Sequence, residues 1–232
     1  GRGSDGVGGA VSIAGGDSGI GGGAVSIEAG AGDAGGIGGD VILSAGPGSA
    51  AGKVSVLGGA SHGEHGGAVE FLSGASTDGV SGNVIVSSMT NSFGSGSVSV
   101  LTGDANDASD SGSMALKTGS SLFKSGDVEL AVGGGAQASG SLSLSGGQSK
   151  QGGDVSVYGG DGVMADGGTV TVLTGTSLSG TSSSGSLLLG SSISSSSGNV
   201  GLNTGDSTFE SGSVFLASGD SSSGAAGVVS IS

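Results

Sequence analysis

Cysteine and tryptophan are absent from the 232-residue sequence, proline occurs once, and the aromatics are one tyrosine and five phenylalanines. Without cysteine there is no disulfide framework, zinc–thiolate centre or thiol nucleophile, and the redox compartment stays open. One proline and no strict three-residue glycine period exclude collagen. No apolar run approaches about 18 residues, so no spanning helix and no membrane insertion are expected. Basic residues are scarce as well. Five Lys+Arg stand against 19 Asp+Glu, a net charge of −14. Such a chain repels phosphates and anionic lipid heads, so neither nucleic acid nor a membrane surface is an expected partner. The first residues, GRGSDGVGG, lack the apolar middle region of a signal peptide.

What is abundant is glycine, 58 of 232 residues, against a usual share of about 7%. That argues against an ordinary globular enzyme. Hydrophobic residues nevertheless reach 34% and mean hydropathy is +0.25. With Val, Ile and Leu recurring at regular intervals, the composition weighs against a disordered chain.

Self-comparison returns one phrase: small, Gly, any, Val, any, Ile/Leu/Val, any, small, Gly. Its anchoring glycines are Gly9, Gly23, Gly39, Gly52, Gly67, Gly82, Gly96, Gly112, Gly126, Gly140, Gly153, Gly168, Gly185, Gly198, Gly212 and Gly227. These define sixteen units with steps of 13 to 17 residues. Two places after each anchor stands an apolar residue (Val11, Val25, Val41, on to Val229, with Met114 among them), and two further on another (Ile13, Ile27, Leu43, on to Ile231). A period of two with β-branched residues on one side predicts a half-buried strand; a helix would not keep both columns on one face. The following inward residue is small in nearly every unit, as at Gly15, Ala29, Ala45, Thr102 and Thr204. Next comes a glycine in thirteen of fifteen units, Met89 and Ser192 being the exceptions. That glycine predicts a tight turn of positive φ.

All length variation falls in a return segment of 5 to 9 residues between turn glycine and next anchor. Extended, it can retrace the roughly 20 Å of a six-residue strand. The expected fold is therefore all-β: a parallel β-solenoid (β-helix) of about sixteen rungs, 13–17 residues each, without helices. Both apolar columns would be buried, strands would pair in register, and Ile20, Val80, Phe93, Phe123, Ile193 and Phe209 in the return segments would plug the second wall. The rival is an antiparallel meander, which leaves its apolar face wet. Residues 1–232 read as a single repeat array, with uncapped ends typical of a segment of a longer solenoid. In such a core, Val155→Asp would cost several kcal/mol and disturb neighbouring rungs.

Candidate chemistry is sparse. The column between the two apolar ones is rich in hydroxyls, including Ser143 and Thr171, but is broken by Glu70, Glu129 and Phe215. As a flat ladder it would suit ice. Leu57, Leu72, Leu101, Tyr158 and Leu173 form an outward apolar file suited to lateral contact. Aspartates follow the turn glycine at Asp17, Asp104, Asp161, Asp206 and Asp220, either as turn formers or as calcium bridges. The nearest approach to a metal site is Asp104, Asp107 and Asp110 with Asn106, which lacks EF-hand spacing, so no metal site is assigned. His62, Glu64 and His65 share a return segment but lack the helical HExxH arrangement. Abundant serines have no nucleophile elbow, and no catalytic residue or cofactor site is expected.

The phrase Ser211-Gly212-Ser213-Val214-Phe215-Leu216-Ala217-Ser218-Gly219-Asp220 resembles the Gly/Ser-rich arrays of diatom and other algal cell-surface proteins. In periodicity the whole chain also resembles short-repeat solenoid antifreeze proteins. The first resemblance implies an extracellular or cell-surface structural role: a rod or filament of a fibre, sheath or adhesive, not an enzyme. Self-association end to end or laterally is the expected partnership, with glycans or calcium as further candidates. Stacked rungs would make that association insensitive to salt. The alternative is an ice-binding or calcium-dependent adhesin.

Overall fold

A computed structural model describes residues 6–33, 35–63, 65–107, 109–179 and 182–231. Among these there is no helix and no strand. The expected parallel β-solenoid is therefore absent, and so is the ladder that the rival meander requires. Nor does any helix long and apolar enough to cross a membrane occur among them. The described residues are irregular coil, punctuated by closed loops that follow the sixteen-unit repeat. It forms two units, Gly1–Leu116 and Lys117–Ser232.

The return segment is where the solenoid fails. To restart a parallel strand it would have to stay extended for roughly 20 Å. Instead it folds back on itself. In the first unit the anchor amides of Gly23, Gly39, Gly52, Gly67 and Gly82 donate to the carbonyls of the preceding turn residues Gly16, Gly30, Gly46, Gly59 and Gly74, at 2.8–3.0 Å. In the second unit Gly153, Gly168 and Gly185 donate in the same way to Gly147, Gly160 and Gly175. A turn residue and the next anchor are thus hydrogen-bonded neighbours, where a solenoid would hold them a strand length apart.

The closure is general. At each of the fifteen junctions, a Cβ built on the anchor glycine would lie against the turn residue or the residue just before it, which is small everywhere but at Val132: Ala29 for Gly39, Thr102 for Gly112, Val132 for Gly140, Ser218 for Gly227. This explains why the small column is small. Where it is itself glycine, at Gly15, Gly58, Gly146 and Gly159, an added Cβ would run into the carbonyl oxygen of the next anchor.

The turn column obeys a different rule from the expected one. Positive φ occurs, among the described glycines, at Gly35 (88°) and Gly94 (124°), both inside return segments. The turn glycines have ordinary φ, and a Cβ on any of them would meet nothing within 4 Å. Hence Met89 and Ser192 fit in that column.

Neither apolar column is buried. The first ranges from 44% exposed at Val69 and Val229 to 89% at Val11, and the second from 59% at Val56 to 90% at Ile231. No buried residue, polar or apolar, occurs among the described ones. The accessible surface is 22890 Å². A compact monomer of this mass would expose about 9,000 Å² and an unfolded chain about 30,000 Å². The expected core is missing, and regular apolar spacing has not excluded a coil. The physical reason is the lack of a second layer. The return residues that were to cover the columns stand fully exposed, as Phe93 and Phe123 do at 100%.

The closed loops do not make up for a core. An exposed backbone hydrogen bond contributes about 0.5–1.5 kcal/mol net, whereas ordering each residue costs about 1–2 kcal/mol of backbone entropy. A loop of five to nine residues held by one such bond is local and open to fluctuation.

Candidate functional site

The feature that recurs is a unit with three parts: a closed junction, an apolar pair two residues apart, and a return loop. The junction carries no chemistry beyond its backbone bond. It needs two small residues facing each other, and the glycine-rich phrase supplies them.

Several loops are shaped by a side chain two residues before a bulky apolar one. Ser18 Oγ accepts from the Ile20 amide at 3.3 Å, Asn91 Oδ1 from Phe93 at 3.1 Å, Ser121 Oγ from Phe123 at 3.2 Å, and Ser207 Oγ from Phe209 at 3.3 Å. These are Ser/Asn turns, in which a short polar side chain replaces a backbone acceptor. Their consequence is display: Ile20, Phe93, Phe123 and Phe209 project into solvent. The motif Ser/Asn-x-Ile/Phe is visible in the sequence. It marks a turn at four places where wall-plugging residues were expected.

The remaining candidates are not brought together. Asp104, Asp107 and Asp110 are exposed, and the contact recorded within their loop is the Ser109 amide donating to the Asp107 carbonyl at 2.7 Å. No group of three potential metal ligands occurs among the described residues. His62 and His65 are exposed, and Glu64 lies outside the described residues. The hydroxyl column of Ser143 and Thr171 has no sheet to flatten it, and Leu57, Leu72, Leu101, Tyr158 and Leu173 are exposed without a strand to hold them in file. No cavity is present among the described residues.

Charge is spread in the same open manner. The recorded ion pair joins Lys124 Nζ to Asp127 Oδ2 at 3.5 Å, with both side chains more than four-fifths exposed. A pair so placed contributes little. No family model, no curated protein and no solved structure matches this chain.

Proposed function

We propose that this chain is a non-enzymatic structural polypeptide of an extracellular or cell-surface fibre, sheath or adhesive, whose sixteen units act as cohesive elements joining copies of the chain. The observation that carries the reading is that every unit leaves its apolar pair uncovered. Covering a Val or Leu side chain fully is worth about 1.5–3 kcal/mol. Small contributions of this kind, repeated along a chain, add up to multivalent association even when each is marginal. The likeness of residues 211–220 to algal cell-surface arrays supports the location.

The test is sedimentation velocity over a dilution series of the purified chain in 0.5 M NaCl at pH 7.5, where the screening length is about 4 Å. Association is expected, and replacing apolar pairs by serine (Val128/Leu130, Val155/Val157, Val170/Val172) should weaken it with each pair removed. A chain that stays monomeric at every concentration, or serine variants that associate as the parent does, would overturn the reading.

A further inference from the structure

Self-association of a chain with net charge −14 meets its own repulsion, and the position of the carboxylates makes that repulsion specific. Glu70 stands between Val69 and Phe71, and Glu129 between Val128 and Leu130. Asp40, Asp127 and Asp154 each precede the first apolar residue of their unit, and Glu28 follows Ile27. We infer that these six carboxylates gate the pairing of the apolar columns with those of a second copy, holding copies apart at neutral pH and releasing them as protons neutralise the chain. The inference rests on the cohesive role proposed above and adds its regulation.

The occupant is a second copy because the units are interchangeable, so columns of one chain match those of another in many registers. The uncovered surface is also ample. The 22890 Å² exposed is about 14,000 Å² above the compact value of about 9,000 Å², several times what a specific interface of about 1,200–2,000 Å² needs. In such a contact each of these carboxylates is drawn out of water beside the apolar pair of its own unit. Losing water without gaining a cation is costly for an ionised carboxylate. Cations near the columns are few: Lys53 before Val54, Lys117 after Leu116, and Lys124, whose nearest carboxylate is Asp127. Lys150, His62 and His65 lie in return loops, and Arg2 is outside the described residues. Protonation removes the cost without a partner cation, and the net charge of the chain falls to zero near its sequence pI of about 4.1. With stacked rungs absent, salt-insensitive association is no longer expected.

The experiment follows the purified chain by light scattering from pH 7.5 to pH 4 in 10 mM NaCl, beside two sixfold amide variants. One carries E28Q, D40N, E70Q, D127N, E129Q and D154N. The other carries D17N, D78N, D104N, D161N, D206N and D220N in the return loops. Each removes six negative charges. The parent is expected to be dispersed at pH 7.5 and assembled at pH 4. The column variant should assemble at a higher pH than the parent, and the loop variant, which loses the same net charge, should shift by clearly less. Equal shifts in the two variants would overturn the gate and leave cohesion standing, as would a parent already assembled at pH 7.5 in 10 mM NaCl. A chain dispersed throughout, in 0.5 M NaCl too, yet bound by poly-lysine, would overturn both readings in favour of a cationic partner.

Discussion

Glycine does different work in neighbouring columns, and single substitutions separate the cases. At Gly146 an added methyl group would run into the carbonyl oxygen of Gly153. At Gly147, one residue later, it would meet nothing within 4 Å. Gly146→Ala should therefore open the junction closed by the 2.9 Å bond from the Gly153 amide to the Gly147 carbonyl, and Gly147→Ala should leave it intact. With a net value of about 1 kcal/mol for the bond, Gly153 protection should fall about fivefold in the first variant. Amide temperature coefficients and exchange rates of Gly153 read this directly; equal values in the two variants would refute the steric account. Gly94, at φ 124°, is the complementary case. There a side chain has open space but the wrong backbone, so Gly94→Ala should cost about 1–2 kcal/mol of local loop stability. The change should appear in the Phe93 and Gly96 shifts and not in those of distant units.

At the scale of the repeating unit, Val155 shows what the lost core changes. In a stacked rung, an aspartate there would be a buried charge. Here Val155 is 59% exposed, so the aspartate would stay in water. Val155→Asp is now expected to leave exchange rates in the adjoining loops within about twofold, and to lower the pH of assembly by adding a carboxylate to a column. A loss of junction protection on both sides of the mutation would instead reveal packing between units. The repeat, its columns and its small residues were legible in the sequence because each is a local regularity. Even the exposure gradient follows the pattern, with Val69 and Val128 less exposed than Phe71 and Leu130. The return path was not legible from length, since six residues between Gly16 and Gly23 can either cross 20 Å or fold back. The structure shows what the length left open: Ser18 and Ser207 turn the chain before Ile20 and Phe209, and the lack of a side chain at Gly15 and Gly146 lets the next anchor close in. The candidate site was legible only as a set of columns, because whether an apolar column is core or surface depends on a second layer, and this chain supplies few residues to build one.

Whole-molecule behaviour follows from the missing core. A globular protein of this length unfolds with an enthalpy near 160 kcal/mol at about 60 °C, from roughly 0.7 kcal/mol per residue, and with a large heat-capacity step. Both quantities scale with surface newly exposed, and most of that surface is already in water here. Dispersed chains at pH 7.5 and low salt should therefore show no cooperative endotherm, and amide signals should drift with urea instead of switching at a midpoint. The eight junctions closed by a backbone bond among the described residues should lose protection independently of one another, since each rests on its own bond. Assembled chains should differ, because apolar pairs covered by another copy would supply the missing heat-capacity change, and any transition would then move with protein concentration. A sharp, concentration-independent endotherm from the dispersed chain would mean that one copy buries its own columns, and the cohesive role would fall with it.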